Sequence, residues 1–508
     1  MNSGEKIMTT GKSYQSEIVL ITKNAGITAF GFLFLNLISL VSNALITRYL
    51  GSGQYGLFVL LTRILEILTI ISSLGFSNTI VRYVASYFAK GDHQRVKGTV
   101  FYSLKMVLIF SIFLVAAIIL FSQTISERLF DTSELSRLFS ILMLSLPFSV
   151  ISMVYLSTLN GLKQVKHVVI IKNFINPVIY ILMIGIVLFF DCGLNGMIWI
   201  YLLTGSFTAM LAYSQVRSVF FKKKTGIIPL TEKKKLWEFS LPMLFIQIFN
   251  STIRLVPIFI MGVYLPTSNI GIFNICLKIA LIVSFSLEAF YMIFAPVISE
   301  LFSKNDLLMV ENLYKTVTKW IFTFSLVVFF IIVLFSDSLL CVFGAEFITG
   351  TGILIIMAAG ELINSSVGLV GIVIMMSGRP KIILYNSILS FLIVSLLCVV
   401  LIPWYGAVGA ALSVAVTVAL INIIRLVELY WFEKIHPFKK SYFKPLISGF
   451  VSFIITYFIF AQSGLNLYVE LCIGSLFFLI VFVLCNWMLR LDEEDKFILK
   501  TLVNQIKR

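Results

Sequence analysis

The sequence predicts an all-α integral membrane protein of about fourteen transmembrane helices. Two parallel six-helix repeats form two lobes, and two extra helices follow at the C-terminal end. Three observations carry that expectation. Hydrophobic residues make up 59% of the 508 and charged residues only 12%, whereas soluble domains carry roughly 25% charged residues; mean hydropathy is +1.01. Such a chain cannot be solvated as a globule, and in lipid its backbone polar groups must be satisfied within helices or a closed barrel. The apolar runs continue for about 20 residues without the alternation of barrel strands, which reads as helix. Finally, one phrase occurs twice: Tyr49 to Phe58 (YLGSGQYGLF) reappears as Tyr264 to Phe273 (YLPTSNIGIF). The offset of 215 (264 − 49) also carries Gly56 onto Gly271 and Arg63 onto Lys278.

In order along the chain, the first six spans begin near Ala25, Tyr55, Val100, Phe139, Val168 and Met197. The second six begin near Phe239, Ile270, Val317, Thr351, Ile382 and Ala407, and the last two near Phe443 and Leu467. A window of about 20 residues sets them. The chain then divides into an N-terminal lobe (1–220), a basic connector (221–237), a C-terminal lobe (238–430), an extra helix pair (431–489) and a tail (490–508). The tail alternates acid, apolar and base, as a surface amphipathic helix does. The connectors are too short for a soluble domain. The first 24 residues are polar and mixed in charge, and the apolar run from Ala25 is too long for the core of a cleavable signal.

Charge sets the orientation. Connectors after odd spans hold only Arg128 and Arg137 among cations, and Arg48, Arg63, Lys105, Arg254 and Lys278 lie in or near spans. The other 32 of the 39 Lys and Arg (39 − 2 − 5) fall to the even-to-odd connectors and the termini. By the positive-inside rule both termini are expected to be cytoplasmic. The net charge of +15 is mostly this topology signal, with anionic inner-leaflet lipid as a natural neighbour; nothing else supports nucleic-acid binding. The lysine triplets Lys222–Lys224 and Lys233–Lys235 read as topology determinants.

The echo continues beyond the opening phrase. YFAKGD (Tyr87–Asp92) answers LFSKND (Leu301–Asp306), Asn160-Gly161 answers Ser377-Gly378, and Gly193–Gly196 answers Gly406–Gly409. Six spans separate partners, and an even number preserves orientation. The halves are therefore expected to be parallel repeats with the interface as the expected site of action, a transporter layout. The turn after each first span reads as structural, its glycines permitting a tight reversal.

Ionisable side chains within apolar spans are costly unless they face protein or water. Arg48, Arg63, Arg254 and Lys278 come from the opening pair of spans in each half, and a cationic lumen built from them would meet an anionic headgroup such as a phosphate. The bland alternatives are a structural Arg63–Glu66 ion pair, three apart on one face, and snorkelling of Arg48, Lys105 and Glu288. Glu66 and Glu361 are the candidate coupling carboxylates. Asn36, Ser39, Asn43, Gln247, Asn250, Ser251, Asn364 and Ser365 suit either a hydrophilic passage or interhelical glue. Pro242 and Pro257 flank Asn250 and Arg254 and offer a hinge; Pro147, Pro177 and Pro296 are ordinary membrane-helix prolines.

Catalytic chemistry has no foothold. The six cysteines are scattered without metal spacing and the three histidines fall in loops. No Walker loop, nucleophile elbow, zinc motif or cofactor signature occurs. The expectation is no enzyme, no catalytic residue, no metal and no cofactor.

Leu50 to Phe58 between spans one and two, Ala89-Lys-Gly-Asp92 after span two and Asn160-Gly161 before span five resemble the signature of the polysaccharide-biosynthesis exporters. These are Wzx-type flippases of lipid-linked oligosaccharides, in the superfamily that also holds multidrug/toxin extruders and lipid II flippases. The resemblance covers essentially the whole chain. It implies two six-helix lobes forming a V, and a cationic cavity that moves a polyprenyl-(pyro)phosphate-linked glycan outward, coupled to an ion gradient or potential. It also implies a monomer in contact with membrane lipids and with a polysaccharide polymerase or glycosyltransferases. No ion site transfers residue by residue. A cation-coupled multidrug/toxin antiporter of the same fold is the alternative, although its deep charges would be acidic rather than basic. A membrane glycan polymerase or ligase would need a sizeable external loop, and none is present.

Overall fold

The computed structural model describes residues 3–130, 134–222, 226–460 and 466–489, with side chains from Phe30 onward except at 121–136, 292, 293 and 440. The expected tail 490–508, Lys223 and Lys224 lie outside the described residues. Every regular element among the described residues is helical, so backbone polar groups are satisfied within each segment, as a bilayer requires. Among the described residues, eleven helices are long and apolar enough to cross a membrane. The count is twelve if the pair Thr267–Ala280 and Phe285–Tyr291, bent by 51°, forms one span. The protein is thus a multi-pass membrane protein. Two of the eleven are unusually long, Phe30–Ser72 (43 residues) and Pro380–Glu433 (54 residues). Each contains a glycine off the helical conformation: Gly51 (φ 71, ψ 171) and Gly406 (φ 58, ψ −137).

The chain packs as two compact units. One comprises Met1–Leu50 with Leu57–Ser251, the other Gly51–Gly56 with Thr252–Arg508. The sequence reading drew its boundary at the connector 221–237. Packing draws it inside a helix, between Pro242 and Pro257.

The first unit contains α1 (Ser3–Ser72), α2 (Phe76–Ala89), α3 (His93–Phe130), α4 (Glu134–Met143), α5 (Leu146–Gly161), α6 (Val165–Val169), α7 (Asn176–Phe189), α8 (Gly193–Val216) and the start of α9 (Lys233–Tyr264). A π-helical stretch, Ile170–Ile175, links α6 to α7; it stands just before Pro177, whose missing N–H forces the ladder to re-register. In α2, Phe76, Thr79, Ile80, Val84 and Tyr87 are buried at three- and four-residue spacing, which puts one face against the core. Val100, Val150, Val154 and Leu236 complete that core.

Helix α9 is fastened to the turn before α2 and to α3 by polar contacts. Ser240 Oγ donates to the Leu74 carbonyl (2.7 Å) and Trp237 Nε1 to Tyr102 OH (3.0 Å). Just before α9, Glu232 pairs with Arg95 Nε and Lys235 Nζ, both at 2.8 Å, and accepts from Tyr87 OH at 3.0 Å. The hydrogen bond from Lys235, then that from Tyr87, holds the Glu232 carboxyl below its ordinary range.

The second unit contains α10 (Thr267–Ala280), α11 (Phe285–Ser303), α12 (Leu307–Leu334), α13 (Ser336–Cys341), α14 (Thr351–Ser366), α15 (Val370–Met376), α16 (Pro380–Glu433), α17 (Phe443–Phe460) and α18 (Leu467–Met488). Asp306 caps α12 by accepting from Met309 N, and Asn466 caps α18 by accepting from Tyr468 N, both at 3.1 Å. Phe322, Leu326, Phe330, Phe478 and Phe482 form the core under α17 and α18.

Left-handed positions match at two of the sequence echoes, while Gly51 and Gly378 have no left-handed counterpart at Pro266 and Gly161. Gly91 (φ 71) matches Asn305 (φ 55), and Gly193 (φ 57) matches Gly406 (φ 58).

Candidate functional site

The duplicated phrase comes first, because its two copies meet within the second unit. Ser52 N and Ser52 Oγ donate to the two oxygens of Glu346 at 2.5 and 2.7 Å, fixing the chain directly after the Gly51 kink. Asn274 Nδ2 donates to Tyr55 OH at 2.8 Å. Gly56 and Gly271, equivalent in the echo, lie against one another: a Cβ on Gly56 would stand 1.7 Å from the Thr267 carbonyl oxygen, and one on Gly271 2.5 Å from that of Ser52. Only Gly51 serves the reversal. Gly56 and Gly271 serve a close backbone approach, a role the sequence reading did not assign them.

Among the cations, Arg63 is tied to Glu66 at 2.5 Å, with the two side chains 24% and 38% exposed. The bland expectation for that pair therefore matches the geometry. Arg48 is exposed, Lys278 is half-buried on a helix α10 that is otherwise buried from Ile270 onward, and both have interaction partners. Arg254 differs: it is exposed, and no hydrogen bond or ion pair holds its guanidinium among the described residues, though its charge acts on Glu361.

Glu361 begins a polar chain through the second unit. It is within hydrogen-bonding reach of Ser284 and accepts from Asn364 Nδ2 at 3.3 Å. Asn422 Nδ2 in turn donates to Asn364 Oδ1 at 3.0 Å. Asn364 and Asn422 line a cavity of about 310 Å³ whose wall also includes Glu288, Tyr291 and Arg425. Arg425 Nε is buried there without a hydrogen-bond partner. Its neighbour Glu428 is engaged by Asn386 Nδ2 at 2.7 Å. The second unit thus presents two guanidinium groups: Arg254, whose charge acts on Glu361, and Arg425, which shares a cavity wall with Asn364 and Asn422. Guanidinium forks are suited to phosphate-type anions, and the half-buried carboxylate of Glu361 offers a place for a proton or cation to act.

The polar candidates separate. Gln247 Nε2 donates to Ser77 Oγ (2.6 Å) and its Oε1 accepts from Ser73 Oγ (3.3 Å), so it joins α9 to α2 within the first unit. Asn43 donates to Ser39 O at 2.5 Å, and Asn36 to Phe32 O at 2.8 Å, each within its own helix; Asn36 is exposed and Asn43 is buried. Asn250 is exposed and has an interaction partner. Arg425 and Asn422 escaped the sequence reading. The available signal was their spacing of three on one face of an apolar run. Among the described residues, no group of three or more His, Cys, Asp or Glu could hold a metal ion, and all six cysteines are free thiols.

A long-helix bundle with ionisable side chains inside its units is the build of a membrane transporter. The fold agrees with solved relatives. The inward closed lipid II flippase MurJ superposes with a TM-score of 0.70, covering 91% of this chain and 98% of its own at 13% identity. An inward-facing multidrug resistance MATE transporter of the MOP superfamily gives 0.65, covering 80% and 98% at 14% identity. The chain thus has the fold of the multidrug/oligosaccharidyl-lipid/polysaccharide exporter superfamily. The polysaccharide biosynthesis protein family matches residues 21–302, more than half the chain, and this protein belongs to it. Among curated relatives, the "probable low-salt glycan biosynthesis flippase Agl15" of Haloferax volcanii is 22% identical over 452 residues, spanning 89% of this chain and 92% of that protein.

Proposed function

We propose that the protein flips a polyprenyl-(pyro)phosphate-linked oligosaccharide across the cytoplasmic membrane, by alternating access, for surface polysaccharide or glycan biosynthesis. The observation that carries this reading is Arg254, an exposed guanidinium in a membrane helix with no ion-pair partner among the described residues, whose charge acts on Glu361 at the head of the polar chain through Asn364 and Asn422. A charge left unpaired at membrane depth is costly unless a ligand or water meets it, and family membership supports a lipid-linked glycan as that ligand. Arg63, Lys278 and Arg48 complete the cationic set in this reading, with Glu66 and Glu361 as coupling carboxylates. Splitting the two long helices at Gly51 and Gly406, and counting the bent pair as one span, gives fourteen spans. The matched left-handed positions support two parallel six-helix repeats, and the cation asymmetry supports cytoplasmic termini. The protein acts as a monomer alongside glycosyltransferases or a polymerase.

The test is translocation of labelled lipid-linked oligosaccharide by the full chain in proteoliposomes. Arg254→Ala is expected to slow it by about tenfold or more, the loss of a charge-assisted contact, with Arg254→Lys intermediate. Should Arg254→Ala and Lys278→Ala fold normally and translocate like the parent, the cationic reading fails. Efflux of organic cations without movement of the lipid-linked glycan would establish the drug antiporter instead.

A further inference from the structure

The first unit holds a second cavity, of about 330 Å³, that no part of the proposed cationic site uses. Ser149, Ser152, Asn176, Tyr201, Thr204 and Thr208 are in its wall, and no charged side chain is. These residues sit near the middle of three candidate spans, Arg137–Gly161, Val165–Phe189 and Gly193–Phe221. So much polar surface at that depth calls for a polar occupant. The volume lies at the lower end of ligand pockets, roughly 300–1,000 Å³.

The hydrogen-bond directions narrow the chemistry of that occupant. Ser149 Oγ donates to Ser145 O at 3.0 Å, and Ser152 Oγ to Ser149 O at 2.8 Å. Thr204 Oγ1 donates to Ile200 O at 2.8 Å, and Thr208 Oγ1 to Thr204 O at 2.7 Å. Asn176 Nδ2 gives one of its two hydrogens to Thr208 Oγ1 at 2.5 Å and keeps its Oδ1 as an acceptor. The hydroxyl hydrogens therefore point into their own helices, and the oxygen lone pairs remain for a ligand. The Tyr201 phenol has no hydrogen-bond partner among the described residues and supplies a donor together with an aromatic face. A bare cation would be desolvated here without a carboxylate in the wall, which is unfavourable, and an acyl chain would strand the oxygens. An uncharged molecule rich in hydroxyl donors satisfies the wall.

The geometry points to a saccharide subsite: this cavity binds a neutral sugar unit of the transported glycan, with Ser152 and Tyr201 as specificity-determining contacts. The assignment rests on the flippase reading. It places the recognition of sugar hydroxyls in a wall that holds no charged side chain, with the Arg63–Glu66 pair close enough to act on Tyr201.

The experiment uses the full chain in lipid nanodiscs and two probes, polyprenyl phosphate carrying an oligosaccharide and polyprenyl phosphate without sugar. Ser152→Ala and Tyr201→Phe remove one hydroxyl each and keep the side-chain shape. Each is expected to weaken the sugar-bearing probe by roughly two- to tenfold, the loss of one hydrogen bond, while shifting the sugar-free probe by less than about twofold. If both probes weaken equally, or neither changes while the parent prefers the sugar-bearing one, the subsite is overturned and the flippase reading stands. If the parent neither binds nor translocates the sugar-bearing lipid, the flippase reading fails and the subsite falls with it.

Discussion

Replacing Gly56 by alanine tests the close approach of the duplicated phrase. A Cβ there would stand 1.7 Å from the Thr267 carbonyl oxygen and 2.5 Å from the carbonyl carbon. Ordinary contact begins near 3.4 Å, so the backbones must part by about 1.7 Å (3.4 − 1.7). At Gly271 the corresponding deficit, against the Ser52 oxygen at 2.5 Å, is about 0.9 Å (3.4 − 2.5). The obstacles are backbone atoms, which cannot swing aside as a side chain can. Overpacking costs about 1–3 kcal/mol, and more when backbone must move, against about 1 kcal/mol gained in helix propensity. Net losses of about 2 kcal/mol or more for Gly56→Ala and about 1 kcal/mol for Gly271→Ala are expected. Gly53, in the same hexapeptide, has nothing within 4 Å of its Cβ position, so Gly53→Ala is the control and should be neutral or stabilising. The assay is thermal melting of the purified protein in one detergent at one scan rate, because an irreversible midpoint depends on rate. Midpoints should fall in the order Gly53→Ala, Gly271→Ala, Gly56→Ala. A Gly56→Ala protein that melts with the parent or above it refutes the reasoning.

Glu232, held below the ordinary carboxylate range by Lys235 and Tyr87, adds stability that is present above the unfolded value near 4.5 and is lost as pH falls through the folded-state value. The melting difference between parent and Glu232→Gln should shrink on acidification below 4.5; a difference that grows there contradicts the assignment. Arg63→Ala strands Glu66 among apolar helices and should cost a few kcal/mol, while Arg63→Met combined with Glu66→Met should regain most of the melting temperature. A double variant weaker than either single one would show that the pair is not self-contained. Glu346→Gln replaces one acceptor of the Ser52 bonds by a donor and should cost about 1–2 kcal/mol, more than Ser52→Ala, which loses only the hydroxyl bond; equal melting of the two would count against the clasp.

Some of this was legible in the sequence because it is one-dimensional. Hydropathy gives spans without knowledge of what they touch, and an unneutralised cation such as Arg254 stands out in an apolar run whatever its neighbours are. Where the reading fell short, the missing information was register between helices. Gln247 was equally suited to lining a passage or joining helices, and only the phase of α9 against α2 delivers it to Ser73 and Ser77. Gly56 and Gly271 read as turn formers, yet Gly56 is helical and its lack of a side chain matters to another helix, which no local pattern records. The unit boundary inside α9 and the separate allegiance of residues 51–56 likewise depend on backbone contacts.

Arg425 escaped for a different reason. A cation within a turn or two of a span end is absorbed by the positive-inside tally, where it already has an explanation. Helix α16, however, runs on to Glu433, so Arg425 stands well inside it and against a cavity. Its neighbour Glu428, three residues on, acts on it electrostatically and is also engaged by Asn386, while Arg425 Nε has no hydrogen-bond partner. A cation that serves topology is thus also a candidate for ligand contact whenever an amide stands three residues before it on the same face, as Asn422 does here.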